Sequence, residues 1–438
     1  MIKRWSVMST AQLNQKYRKL IMGLNKEVPV RRGKLKYVNF DNAATTPPFV
    51  SVIDSIVKFS PWYSSIHRGT GYKSKVSSKV YEEARHKILK FLGADEKTNT
   101  VIFVKNATEG LNKLSYRLIH DSSWVVLSTW MEHHSNDLPW RDKCRVDYVE
   151  IDDKGRLCLW DLEQKLRRYG GRVKYVTVTG ASNVTGYVND IHKIAFLAHM
   201  YGAKIIVDAA QLIPHGPINM KPDHCVEHID FVVFSAHKMY APFGVGAIVG
   251  PKKSFIKGSP EYKGGGTVQV VTRYSIVWDD PPFKEEAGSP NIIGVVALVA
   301  AIEELSKIGM KKIYKNEKEL MNYAVSKLKK IPFIQLYGCY DGCVERVGII
   351  TFIVKGIPHG EIAKILSEES AIAVRSGCFC AQPYVQRLLK LSSKEIEFYK
   401  YLPDHKKPGM VRVSFGLYNT KKEVDRLVSE LKRLIKHF

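Results

Sequence analysis

The chain has 438 residues, 45% of them hydrophobic and 25% charged, with Lys and Arg outnumbering Asp and Glu by 67 to 43. That length holds two or three domains around a substantial core, and that composition is one of an ordinary folded protein. No apolar run approaches the ~18 residues of a membrane span, and no stretch interleaves clustered Arg and Lys with stacking aromatics as nucleic-acid modules do. Neither a membrane nor a nucleic-acid partner is therefore expected, and the basic surplus is assigned to the general surface. The seven cysteines are odd in number, scattered and unaccompanied by a secretory signal, which points to a reducing cytoplasmic setting.

Residues 1–36 form a basic extension with a short helix expected over Ala11–Leu24, a packed segment rather than a targeting one. Residues 37–310 are expected to form a large domain whose N-terminal segment lends a part to a smaller one. In this stretch short β-branched runs alternate with helical patterns, which predicts a mostly parallel sheet with crossover helices. The predicted strands are Thr100–Val104, Trp124–Ser128, Arg145–Glu150, Val173–Thr179, Lys204–Asp208, Phe231–Ser235 and Ala247–Gly250, with helices over Ser74–Phe91 and Asp190–Tyr201. The Gly/Pro-rich stretch from Gly258 to Pro290 is expected to form loops crossing a dimer interface. Helical periodicity resumes over Ile292–Ile308 and continues to about Lys330. Residues 311–438 are then expected to form a small α+β domain, with strands near Phe333–Leu336 and Gly348–Val354 and helices His359–Ser367 and Lys421–Lys436.

Lys238 follows an apolar strand directly and precedes Gly244 and Gly246. A lysine on a strand end is held toward a pocket, where desolvation lowers its pKa and makes it a usable Schiff-base nucleophile. Thirty residues upstream, Asp208 ends a second apolar strand in Val207-Asp208-Ala209-Ala210-Gln211. A carboxylate there suits a pyridinium nitrogen, because it keeps protonated the ring that serves as electron sink for a carbanion at a substrate Cα. The pair points to pyridoxal 5'-phosphate, with Gln211 near the ring hydroxyl. Asn106-Ala107-Thr108-Glu109-Gly110 follows a strand as a phosphate-binding turn at a helix start would, although Asn and Thr are also ordinary caps there. Ser235 and His237 offer further phosphate contacts. In Met131-Glu132-His133-His134, just after another apolar run, an imidazole could stack on a cofactor ring, although an isolated pair of histidines serves as readily as metal ligands or core residues.

Ordered matches extend from about Val38 to the C-terminus: Asp41-Asn42-Ala43-Ala44, His67-Arg68-Gly69, Ala107-Thr108-Glu109-Gly110, Met131-Glu132-His133-His134-Ser135-Asn136, Ser182-Asn183-Val184-Thr185-Gly186, the Asp208 and Lys238 segments, Glu286-Ala287-Gly288-Ser289-Pro290-Asn291 and Arg375-Ser376-Gly377. By these the chain resembles the cysteine desulfurases of the class V, fold-type I pyridoxal-phosphate family, in their SufS-like branch. The resemblance implies that Lys238 carries the cofactor, Asp208 pairs with its ring nitrogen, Gln211 meets the ring oxygen and His133 stacks on the ring. It implies that Ala107, Thr108, Ser235 and His237 hold the phosphate, that Asn183 contacts substrate and cofactor, and that Ser289 reaches the neighbouring subunit's phosphate site in a homodimer with shared active sites.

An amino-acid carboxylate calls for a bidentate guanidinium. Arg412, in the pattern of a half-buried strand over Val411–Phe415, is expected to supply it, with Arg375 assisting or ordering the cysteine loop. Cys380 stands where the family keeps its catalytic cysteine. The implied reaction moves the sulfur of L-cysteine onto Cys380 as a persulfide and releases L-alanine, with Lys238 moving the Cα proton and a sulfur-acceptor protein as the onward partner. No metal is expected, since no second Cys or His pair near Cys378-Phe379-Cys380 completes a four-ligand set. That segment departs from the branch, which often carries histidines where Cys378 and Phe379 stand, and Arg-Ser-Gly-Cys-Phe-Cys is also similar to molybdenum-cofactor sulfurases. The competing readings are another class V activity (aminotransferase, selenocysteine or cysteine-sulfinate lyase, epimerase) and a non-catalytic sulfur-assembly scaffold.

Overall fold

A computed structural model describes residues 16–342, 344–403 and 406–436. Most of the expected helix over Ala11–Leu24 lies outside the described residues or in turns. Of its described residues, 16–18 are helical, and Tyr17 in that turn and Ile21 beyond it pack into the main core. Residues beyond them form a hairpin of β1 (Glu27–Val30) and β2 (Gly33–Lys36), then the short strand β3 (Val38–Asn39).

The central sheet has seven strands: β4 (Asn99–Val104), β5 (Val125–Thr129), β6 (Arg145–Val149), β7 (Val173–Thr179), β8 (Lys204–Asp208), β9 (Phe231–Ser235) and β10 (Gly246–Pro251), in the spatial order β4-β10-β9-β8-β7-β5-β6. Each of the seven strands predicted from sequence is one of these, to within one residue at either end. They were legible because a parallel sheet covered on both faces requires near-continuous apolar runs, and β4, β5, β9 and β10 are buried at every residue. Only β10 runs against its neighbours. It therefore returns the chain between β9 and β4 while leaving the other six strands pointing the same way.

One face of the sheet is covered chiefly by the helices Val50–Phe59, Tyr72–Leu92, Leu159–Tyr169, Ile191–Met200 and Ile292–Ile308, the other by Ala107–Leu118. The stretch predicted as loops after Gly258 also contains a hairpin, β11 (Val268–Val271) with β12 (Ile276–Trp278). Its exposed Val270, Val271, Ile276 and Val277 have no regular alternation with polar residues, which is why its strands were not legible.

A second, antiparallel sheet has the order β13-β14-β17-β16, from β13 (Ile334–Tyr337), β14 (Ile349–Val354), β16 (Arg375–Gly377) and β17 (Met410–Ser414). Its core includes residues of the helices Met310–Leu328, His359–Ser370 and Lys421–Ile435. The short β15 (Ile372–Ala373) pairs in parallel with β3, which brings Val38 and Phe40 into this second core. The strand expected to be half-buried around Arg412 is instead buried throughout. Its two polar residues, Arg412 and Ser414, are spent on internal partners rather than on solvent.

Candidate active site

A cavity of about 350 Å³ opens at the carboxyl ends of the central strands. Those ends are the usual ligand edge of an open α/β sheet, because the loops that leave them converge there. Of the thirteen residues singled out from sequence, twelve line it: Ala107, Thr108, His133, Asn183, Asp208, Gln211, Ser235, His237, Lys238, Arg375, Cys380 and Arg412. Ser289 does not. It lines a separate cavity of about 600 Å³ together with His67, Arg68 and Gly288.

The floor is built by β8 and β9. Asp208, the last residue of β8, is 4% exposed and its Oδ1 accepts the Ala210 N–H at 3.0 Å. Burial raises its carboxyl pKa, while that N–H and Lys238 pull the other way. A buried carboxylate so placed favours a cationic or N–H-bearing partner from the cavity. Lys238 comes three residues after β9, in the helical turn Ala236–Lys238. It keeps some surface on the cavity, yet burial of the ammonium lowers its pKa to about 8, with Asp208 opposing and Arg412 adding to the fall. The turn is fixed from the other side, where Thr45 and Thr46 hydroxyls and the Thr46 N–H donate to the His237 carbonyl. Gln211 donates its amide to the Ala43 carbonyl at 2.6 Å and leaves its buried Oε1 without a protein partner.

One end of the cavity is a candidate anion site. Asn106 caps the helix Ala107–Leu118, its side chain accepting from the Glu109 N–H. That first turn is held against β9 because the Ala107 N–H donates to Ser235 Oγ at 2.8 Å. Gly246 permits the approach, since a Cβ there would meet the Phe234 carbonyl at 2.5 Å and Asn106 Cα at 3.0 Å. The helix start, with the Thr108 hydroxyl beside it, suits a phosphate.

The wall over the floor is His133. Ser135, missed from sequence, links it to the anion site: its N–H donates to His133 Nδ1 at 3.1 Å and its hydroxyl lies 2.7 Å from that of Thr108. Burial, with Lys238 second, lowers the His133 pKa to about 3, so the ring is a neutral imidazole with its proton on Nε2. Beneath it Glu132 is fully enclosed, accepting from Thr129 Oγ1, Asn136 Nδ2 and the Thr179 N–H, and burial raises its pKa to about 8.

The second sheet closes the cavity. Arg412 in β17 donates to the Asn183 carbonyl at 2.9 Å and to Asp41 at 3.3 Å, and its buried Nε has no partner. Burial lowers its pKa to about 10 against the opposing pull of Asp41. Arg375 in β16 is half exposed and meets the same carboxylate at 2.7 Å. Asp41 thus joins the two arginines, a role that sequence reasoning missed although its motif had been noted. An ion pair across several hundred residues leaves no local pattern, so the only available signal was membership of the motif.

Cys380 is exposed, one residue past the buried ring of Phe379, over which the Arg412 guanidinium lies at 5.0 Å. Phe379 and Cys380 have φ values of 55° and 54°. The turn is tied by the Asn183 amide donating to the Phe379 carbonyl at 2.7 Å and by the His134 N–H donating to the Cys380 carbonyl at 2.6 Å. Cys378 faces another way. Its thiol donates to the Pro408 carbonyl at 3.2 Å and lines a neighbouring cavity with Tyr399, Lys400 and Lys407, and burial pushes it up to about 11.

The arrangement offers a helix start that suits an anion, a buried carboxylate, a neutral imidazole, an amine of lowered pKa, a guanidinium with an unpartnered N–H, and a thiol. Residues 38–427 match the family model described as aminotransferase class-V. The chain is 33% identical over 405 residues to a cysteine desulfurase of Haloferax volcanii, covering 90% of this chain and 88% of that one. It is 32% identical over 411 residues to a cysteine desulfurase of Escherichia coli O139:H28, covering 90% and 92%. Among solved structures, a cysteine desulfurase from Thermococcus onnurineus superposes with a TM-score of 0.81 at 29% identity, over 92% of this chain and 95% of that one. The cysteine desulfurase CsdA of Escherichia coli does so with a TM-score of 0.80 at 26% identity, over 99% and 100%.

Proposed function

The chain belongs to the class-V aminotransferase family, in company with its cysteine desulfurases and with their fold-type I architecture, and from this membership we propose that it is a pyridoxal-phosphate-dependent cysteine desulfurase. The observation that supports the reading is the cavity itself, which Lys238, Asp208, Cys380 and Arg412 all line. It converts L-cysteine and the Cys380 thiol into L-alanine and a Cys380 persulfide.

The cavity fits pyridoxal phosphate by its donor set: a buried carboxylate in Asp208, an unpartnered buried oxygen in Gln211, and a helix start with Thr108 and Ser235 hydroxyls. His237, in the turn that follows Ser235, adds to the phosphate end. When bound, the cofactor supplies the electron sink that stabilises negative charge at the substrate Cα. Lys238, whose amine is near neutrality, carries the cofactor and holds and returns the Cα proton at Nζ. His133 stacks as a neutral ring and adds no positive charge to the face it covers. Arg412, which lines the cavity, binds the substrate carboxylate, and Arg375, anchored on Asp41, assists. Asn183 supports the substrate side and holds the Phe379 carbonyl, so it couples the cavity wall to the cysteine turn. Cys380 Sγ attacks the substrate sulfur. The new S–S bond forms as the substrate Cβ–S bond breaks, and the electron pair left at Cβ takes up a proton to give the methyl group of alanine.

Ser289, in a cavity of its own, is read as the residue each subunit lends to its neighbour's phosphate site in a homodimer. The persulfide passes to a sulfur-acceptor protein. Six described cysteines are free thiols and no described helix is long and apolar enough to cross a membrane, which supports placement in a reducing cytoplasm. The two separate cores support a large cofactor domain to about residue 310 and a smaller cysteine-bearing domain after it.

Cys380→Ser tests the reaction. The variant keeps the cofactor's visible absorption, and alanine formation from cysteine falls by about 10²–10⁴-fold, the range for loss of a reacting group. Undiminished alanine and sulfide release with a reductant present would refute transfer to Cys380.

A further inference from the structure

At the opposite end of β8 and β9 from the cofactor cavity, the segment Asp223-His224-Cys225-Val226-Glu227-His228-Ile229-Asp230 carries six potential metal ligands in eight residues. Among the described residues, His199, His228 and Asp230 bring their ligand atoms within 4.8 Å of one another. His199 comes from the helix Ile191–Met200, which leads into β8, and Asp230 immediately precedes β9.

The hydrogen-bond inventory of the two imidazoles is short of protons. His199 Nδ1 lies 2.6 Å from the Val226 carbonyl and His228 Nδ1 lies 2.7 Å from the Cys225 carbonyl, so each Nδ1 carries the hydrogen. A neutral ring has one N–H. With one N–H per ring, each Nε2 presents a lone pair to a different oxygen of Asp230, His199 Nε2 lying 2.8 Å from Oδ2 and His228 Nε2 3.7 Å from Oδ1. Lone pairs facing a carboxylate at these distances repel unless a cation lies between them. A proton on His199 alone would satisfy its 2.8 Å contact as an imidazolium–carboxylate pair, but would leave the His228 Nε2 lone pair, 3.7 Å from the other carboxylate oxygen, without a donor. A single divalent ion meets all three groups with both rings neutral. Two ligands about 2.0–2.1 Å from a tetrahedral zinc stand roughly 3.3 Å apart, between the two separations observed.

The surroundings are those of a supported site. Both Nδ1–H groups are held by backbone carbonyls, the outer bond that fixes the tautomer of a metal-binding histidine. Asp230 is anchored by accepting the Ile205 N–H of β8 at 3.0 Å. The side chains of His199 and His228 retain 14% and 20% exposure, which leaves a path for the ion and a fourth position for water. Placing both Nε2 atoms on one ion fans the rings apart from their present 26° interplanar angle. We propose that His199, His228 and Asp230 form a zinc(II) site, independent of the catalytic reading, that staples the helix Ile191–Met200 to the starts of the two strands whose far ends carry Asp208 and Lys238.

The test is metal content and thermal stability of the holoenzyme after chelator treatment and dialysis against zinc sulfate, with the Cys378→Ala/Cys380→Ala variant as control for thiol binding. The wild type and the thiol variant are each expected to retain one zinc per chain and to gain Tm on zinc addition. His228→Gln, which leaves the His199–Asp230 contact in place, is expected to lose zinc affinity by at least about 10–100-fold. A wild type that retains no zinc, or zinc that disappears with the thiols and survives His228→Gln, would overturn the assignment. The wild-type and thiol-variant measurements decide the matter even if His228→Gln does not fold.

Discussion

Asp208 and Lys238 are held by β8 and β9, adjacent parallel strands buried at every residue but Lys204, whereas Cys380 sits on a turn with two consecutive residues in left-handed backbone. Left-handed backbone costs a non-glycine residue about 1–2 kcal/mol, and here it is balanced by a few hydrogen bonds, from Asn183 to the Phe379 carbonyl and from His134 to that of Cys380. The groups proposed to meet the cofactor are thus fixed by a sheet and the turn that leaves it, and the thiol proposed to take the sulfur is fixed by contacts that can be exchanged. The difference suits the chemistry. A cofactor must be held in one orientation, while a thiol that takes a sulfur atom must also present it elsewhere.

Lys238→Ala strikes the rigid side and carries the largest expected effect. Alanine formation should fall by about 10²–10⁴-fold or more, together with loss of covalently held cofactor seen by absorption after gel filtration. A variant still forming alanine at a comparable rate would break the division of roles. Arg412→Gln removes the guanidinium that spans both sides. A hydrogen bond to a charged group contributes ~1.5–3 kcal/mol, so KM for cysteine should rise by about 10–100-fold in steady-state assays, with a smaller change in kcat.

The seven strands were legible because burial on both faces writes itself as apolar runs, and Asp208 and Lys238 were legible because one ends such a run and the other follows one closely. Twelve of the thirteen chosen residues line one cavity. Asp41, Ser135 and the Phe379–Arg412 stack were not legible as site elements. Each acts through a contact whose partner is fixed only by how the two sheets or successive turns meet. The hairpin of β11 and β12 escaped for a different reason, since its apolar residues are exposed and follow no alternation.

A finer probe of the rigid side is pH. Burial lowers the Lys238 ammonium from 10.5 to about 8. The reactive free amine is therefore scarce below that value and predominates above it. Cofactor capture by cofactor-free protein should rise about tenfold per pH unit up to about 8 and level off beyond, followed by the growth of visible absorption. A profile still climbing toward pH 10 would show that the cavity does not desolvate Lys238. The smallest effect is expected of Cys378→Ala, because that thiol is pushed up to about 11 and faces a different cavity. Its alanine formation should match the parent, and a large loss would place Cys378 in the sulfur path and blur the contrast between the two thiols.

The account is tested most directly by incubating the holoenzyme with L-cysteine, digesting with trypsin and fragmenting the peptide Ser376–Arg387, which holds both Cys378 and Cys380. The prediction is one added sulfur assigned to Cys380, formed in step with an equal amount of alanine. Alanine without sulfur on Cys380, or a keto acid in place of alanine, would contradict it.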